Sequence, residues 1–218
     1  MIMSFENARK GLKQVYRGEL LELLAAIAGG ALSFAGNMAE GVKNAGDTGK
    51  YDLFIKVAAI RLVIGMVLTA LASLLKVLGI SKASSDNKSF GHALIFILIN
   101  LIVSLGSSLL NKWGISEDTM SLVKGICNTF TMVFVVDGII SLARKVGNET
   151  VEKTGKRAVW YILAVEVCAA AVNILAHFIT KNSELFWIPA VIGIVTMILY
   201  VISYIVYLKT LRKGANML

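Results

Sequence analysis

The sequence predicts an all-α integral membrane protein with six transmembrane helices behind a short amphipathic N-terminal helix, and three observations predict it. The first is composition. The 218 residues are 56% hydrophobic and 17% charged, with a mean hydropathy of +0.73, whereas a soluble domain is about 45–50% apolar and about 25% charged. One soluble core cannot use that excess. The second is length, since six apolar runs recur and each reaches the roughly 20 residues that a helix needs to cross a bilayer. The third is the placement of Lys and Arg, which concentrate in alternate connections between those runs.

In chain order, residues 4–18 place Phe5, Leu12, Val15 and Tyr16 at helical spacing among Arg9, Lys10, Lys13 and Arg17. Such an arm can lie in the cytoplasmic interface against anionic lipid; the plainer alternative is a solvated basic segment that only fixes topology. The first span, 20–38, is rich in small residues, with Ala25, Gly29 and Ser33 on one face and Ala31, Ala35 and Ala39 on another. Small residues at four-residue spacing let backbones approach closely, within the bundle or against a partner subunit docking on Ala31, Ala35 and Ala39. Glu19 and Glu22 are placed in the first turn of this helix, where its dipole favours acids, and are given no chemistry.

The remaining spans are 54–78, 90–110, 122–143, 159–179 and 185–208, within a single transmembrane domain over 1–218. Helices are expected because backbone groups cannot stay unsatisfied in hydrocarbon and the runs lack the alternation of barrel strands. Pro189, the only proline, falls near the start of the last span, where a missing N–H costs least. A shift of the second span onto the fourth pairs Lys56 with Lys124, Ser73 with Ser141 and Gly79 with Gly147, a pattern compatible with three duplicated helical hairpins.

Orientation follows from charge. The arm, the connection with Lys76, Lys82 and Lys88, the one with Arg144, Lys145, Lys153, Lys156 and Arg157, and the tail with Lys209, Arg212 and Lys213 hold about two-thirds of the 22 basic residues. Both termini are therefore expected in the cytoplasm of a cell bearing the protein in its membrane. Trp113 and Trp187 then fall at the outer boundary, and Trp160, Tyr161, Tyr204 and Tyr207 near the inner one. Because the net charge of +8 is spread over these loops, it does not form a nucleic-acid patch. Cys127 and Cys168 lie inside apolar runs as small hydrophobes rather than a disulfide or a metal pair.

Polar residues inside the spans carry the functional reading, because an ionisable group at the bilayer centre costs about 2.5–3.5 kcal/mol on insertion scales. In TMVFVVDGIISLARK, Asp137 lies seven residues before Arg144, and Glu166 lies eight residues past Ala158. This spacing places both carboxyls at similar depth, where a facing pair would suit proton or cation coupling; the alternative is that each snorkels or pairs with a neighbour. Toward the outside, Arg61, Asn128, Asn173 and His177, with Lys56 and Lys124, suggest a cationic vestibule for a small anionic or zwitterionic solute, and Asn100 lies deeper in that path. His92 reads as interfacial.

No phosphate-binding loop, dinucleotide fingerprint, zinc-protease motif or nucleophile elbow occurs, so neither an enzyme, a cofactor nor a metal is expected. The expectation is a small multi-pass transport or channel-type protein, with the solute-binding membrane subunit of a transporter as its narrowest form. A non-transporting scaffold, sensor or assembly partner is the alternative, and an intramembrane lipid-modifying enzyme the third. In gross plan, six helices with an alanine-spaced first one, the chain resembles the substrate-binding membrane subunits of energy-coupling-factor importers. That resemblance is architectural and carries no residue across.

Overall fold

The computed structural model describes residues 5–44, 48–179 and 187–218. The side chains of residues 28–55, 57, 58, 61, 173–187, 189 and 190 lie outside that description. Among the described residues there is no strand, and the chain forms seven helices: α1 (Glu6–Asn44), α2 (Thr48–Ser84), α3 (Lys88–Leu105), α4 (Ser107–Lys112), α5 (Glu117–Val146), α6 (Glu149–Ile179) and α7 (Trp187–Met217). Four described stretches are long and apolar enough to cross a membrane: Leu62–Ser84, Lys88–Leu105, Glu117–Val146 and Val191–Met217. They overlap the second, third, fourth and sixth predicted spans; more than half of the first and a third of the fifth fall on side chains outside the description.

Three expectations are corrected. The N-terminal arm is not a separate helix, because α1 runs unbroken for 39 residues from Glu6. Nor is its apolar face wholly free for lipid, since Leu12 and Val15 are buried. Glu19 and Glu22 are consequently three to four turns inside α1 rather than in its first turn. The third span is not continuous to residue 110: it breaks at Gly106, and a one-and-a-half-turn α4 follows.

The chain divides into two compact units, Met1–Lys13 with Gly79–Leu218, and Gln14–Leu78. In the larger one α5 is central and packs against α3, α6 and α7. Its buried positions Cys127, Thr131, Val135, Ile139 and Leu142 recur every three or four residues, the period of one helix face. Close approach is obtained with glycine. A Cβ at Gly138 would stand 2.6–2.8 Å from the Phe90 ring, one at Gly155 2.6 Å from Ile140, and one at Gly214 2.8 Å from Ile139. Each of these contacts joins α5 to a different neighbour.

Local chemistry sets the helix ends. Asn87 caps α3 by accepting from the Ser89 N–H at 2.8 Å, and its amide donates to Ser141 Oγ at 2.7 Å. Ser116 caps α5 by accepting from Thr119 N, with Glu117 and Asp118 on the positive end of the helix. At the other end Gly147 takes the left-handed conformation (φ 75°), and Asn148 N–H returns to Ala143 O at 2.8 Å in a Schellman turn. Asn148 then caps α6 through Val151 N–H, so two residues end one helix and begin the next. Asp86 accepts from Ala8 N–H at 2.7 Å, supplying an orphan donor of α1's first turn with a carboxylate from the α2–α3 connection.

Because the start of α3 touches the last turns of α5 through Asn87 and Ser141, these helices run antiparallel, with the α2–α3 and α5–α6 connections at one end of the unit and the α4–α5 turn at the other. The N-terminal arm reaches the first end through Ala8 and Asp86, and the last turns of α7 reach it through Lys213 and Thr154 at 3.3 Å.

In the smaller unit α1 and α2 meet closely. A Cβ at Gly18 would lie 2.9 Å from Ala72 O. Beside it Lys76 is buried on α2, its Nζ 3.1 Å from Glu19 Oε1 and 2.6 Å from Glu22 Oε2.

Candidate functional site

Glu166 of α6 is the carboxylate in apolar sequence with the most developed surroundings. The Thr129 hydroxyl of α5 donates to its Oε1 at 2.6 Å. The same Oγ lies 3.0 Å from the carbonyl oxygen of Gly125, one turn earlier on α5. A void of about 20 Å³ adjoins the pair, lined by Asn128, Thr129 and Met132 of α5, Ile162, Val165 and Glu166 of α6, and Tyr200, Ser203 and Tyr204 of α7. About 10–15 Å³ suffices for one water when two to four polar partners are in reach. Asn128, Thr129, Glu166 and Ser203 are among its lining residues, so a water there has polar side chains within its walls.

Asp137 is elsewhere. Its Oδ2 accepts from Ser89 Oγ at 2.7 Å, across the α3–α5 contact. On the same seam His92 tilts against Phe134 with ring centroids 5.3 Å apart, and Phe96 stacks on Phe130 and Phe134 at 4.9 and 5.7 Å. The two carboxyls are not brought together: Glu166 is level with Thr129, and Asp137 lies eight residues further along α5, or roughly 12 Å of rise. The expected equal depth fails because α6 starts at Glu149, so Ala158 is already nine residues into α6, while Arg144 is only two residues from the end of α5.

The outward vestibule is only partly within the description. The side chains of Arg61, Asn173 and His177 lie outside it, as do those of Ala31, Ala35 and Ala39. Asn128 joins the Glu166 void, Asn100 accepts from Ser104 Oγ at 3.4 Å along its own helix, and Lys56 is exposed on α2. Lys124 instead lines an open pocket of about 570 Å³ at the α4–α5 turn, with Ser107, Ser108, Asn111, Ser121, Glu117 and Asp118. Carboxylates outnumber ammonium there, so that pocket is not cationic.

The sequence reading missed the Glu19–Lys76–Glu22 cluster and the role of Thr129. The three-residue spacing of Glu19 and Glu22 puts them on one helix face and was a usable signal; the partner 54 residues beyond Glu22 was not legible. Among the described residues no group of His, Cys, Asp and Glu side chains is arranged to hold a metal ion, and Cys127 and Cys168 are free thiols. No protein-family model, curated protein or solved structure matches the chain.

Proposed function

We propose that the chain is a six-helix cell-membrane protein of the transport or channel type, with both termini cytoplasmic, in which Glu166 is the group that carries a proton. The observation that carries this reading is the water-sized void beside a carboxylate in an apolar stretch, bordered by three helices. Its bilayer setting is supported by α7, whose Val191, Ile194, Ile198, Val201 and Ile205 are exposed along an otherwise apolar helix. The orientation puts the α4–α5 pocket outside. With Glu117 and Asp118 for an ammonium and Lys124 for a carboxylate, it suits a zwitterionic solute better than an anion.

The test is proton entry into vesicles of phosphatidylcholine and phosphatidylglycerol holding a pH-sensitive dye. The reconstituted chain is expected to speed equilibration of an imposed pH gradient, and Glu166→Gln to abolish the gain. Wild-type chain that leaves the gradient at the rate of empty vesicles overturns the reading.

A specific observation favours the second reading, a non-transporting scaffold. Asp137 and Lys76 each have partners on another helix, as groups used only for packing would. Under it, both Asp137→Asn and Glu166→Gln lower stability and neither alters proton entry.

A further inference from the structure

The Thr129 hydroxyl has one proton and two acceptors. Back-bonding to the carbonyl four residues earlier is common for helical threonine, and Thr69, Thr131, Thr154, Thr196 and Thr210 all do it. What sets Thr129 apart is a carboxylate in reach of the same oxygen, 2.6 Å against 3.0 Å for the Gly125 carbonyl. A hydroxyl rotates to suit its neighbours and can accept while it donates.

We propose that Thr129 is a positioning residue that keeps Glu166 hydrogen-bonded in both of its protonation states, which rests on the reading of Glu166 as a proton carrier. With Glu166 ionised, Thr129 O–H donates to Oε1. A hydronium in the adjoining void gives its proton to the carboxylate and leaves as water, and the new acid O–H donates to Thr129 Oγ. The Thr129 proton swings to the Gly125 carbonyl. One proton enters, the carboxylate goes from −1 to 0, and no hydrogen-bonding group between α5 and α6 is orphaned. Release runs the same steps backwards. A buried polar group left without a partner in either state costs the full desolvation penalty, and the rotation avoids it.

The groups facing Glu166 make this assignment specific. From α7 come the titratable phenols of Tyr200 and Tyr204 and the hydroxyl of Ser203; α5 presents Asn128, Thr129 and Met132, none of them charged. Lys124 lies one turn before Asn128 but lines the pocket at the α4–α5 turn.

The experiment uses full-length chain in the same dye-loaded vesicles, together with the infrared carbonyl band of protonated carboxylic acid, assigned by its loss in Glu166→Gln. Thr129→Val keeps the side chain's shape and removes the hydroxyl. It is expected to slow proton entry roughly ten- to a hundredfold, the equivalent of one hydrogen bond to a charged group, and to shift the carbonyl band. Thr129→Ser is expected to restore both the rate and the band position. If the band rises and falls with pH but stays in place in Thr129→Val, the Thr129 assignment is overturned while Glu166 keeps its role. A Glu166 band that never changes with pH overturns both.

Discussion

Lys76 shows how much a single side chain can hold in place. It is 9% exposed and Glu19 is 4% exposed, so neither is served by bulk solvent, whereas Glu22 is 48% exposed and completes the pair from the rim. Removing one partner of a buried ion pair costs about 3–5 kcal/mol because an uncompensated charge stays behind, while replacing the set with neutral groups is often tolerated. Lys76→Met is therefore expected to destabilise the detergent-solubilised protein by about that amount, measured by chemical denaturation, and Glu19→Gln added to it to recover most of the loss. Glycine at 138 is the converse case, a residue held by what surrounds it. Gly138→Ala sets a methyl group against the Phe90 ring, and overpacking of this kind costs about 1–3 kcal/mol. Phe90→Leu in the same chain is expected to relieve it, whereas Gly65→Ala, where nothing approaches, leaves thermal stability unchanged or raised. Both predictions depend on neighbours distant in sequence, which is why neither Lys76 nor Gly138 stood out before the helices were seen together.

At the scale of the element, the turn between α5 and α6 concentrates charge. Glu152 Oε1 lies 2.9 Å from Arg144 Nε and 2.7 Å from Lys156 Nζ. Hydrogen bonds from Lys156 and Arg144 hold its carboxyl below the ordinary value of 4.5, against a smaller opposing effect of desolvation. A depressed folded-state value means that the contribution to stability is present above the unfolded value and is lost as pH falls through the folded one. The melting temperature of Glu152→Gln is thus expected to lie below wild type at neutral pH, with the two curves converging on the acid side of 4.5. Parallel curves across that range would show that the turn does not depend on this carboxylate. The caps of this turn were legible in Gly147 and Asn148, but the reading marked where apolar sequence ended rather than where the helix did. Helices α5 and α6 carry polar turns beyond their apolar stretches, and the depth of Glu166 was misjudged by that length.

At the scale of the whole molecule, composition and run length gave the all-helical class, because long apolar runs without strand alternation mark helices without reference to tertiary contacts. The site was less legible: Asp137 and Glu166 stood out as charges in apolar sequence, yet their partners Ser89 and Thr129 are ordinary hydroxyls that only helix packing brings near. Topology connects the two levels. In the larger unit the α2–α3 and α5–α6 connections share one end, and Lys82, Lys88, Arg144, Lys145, Lys153, Lys156 and Arg157 are clustered around them. The α4–α5 turn at the far end has Lys112 and Lys124 against Glu117 and Asp118. Short basic connections stay in the cytoplasm, so the first end is expected inside. With Cys127 and Cys168 replaced by alanine, single cysteines at Ser85, Ser116 and Asn148 test this in intact cells. A membrane-impermeant maleimide should modify Ser116→Cys at once, and Ser85→Cys and Asn148→Cys only after permeabilisation. Labelling of Ser85→Cys and Asn148→Cys from outside would invert the molecule and place the α4–α5 pocket in the cytoplasm. Simultaneous labelling of all three would mean that α3 and α5 do not cross the bilayer, leaving the void at Glu166 in water and its carboxylate with no membrane to carry a proton through.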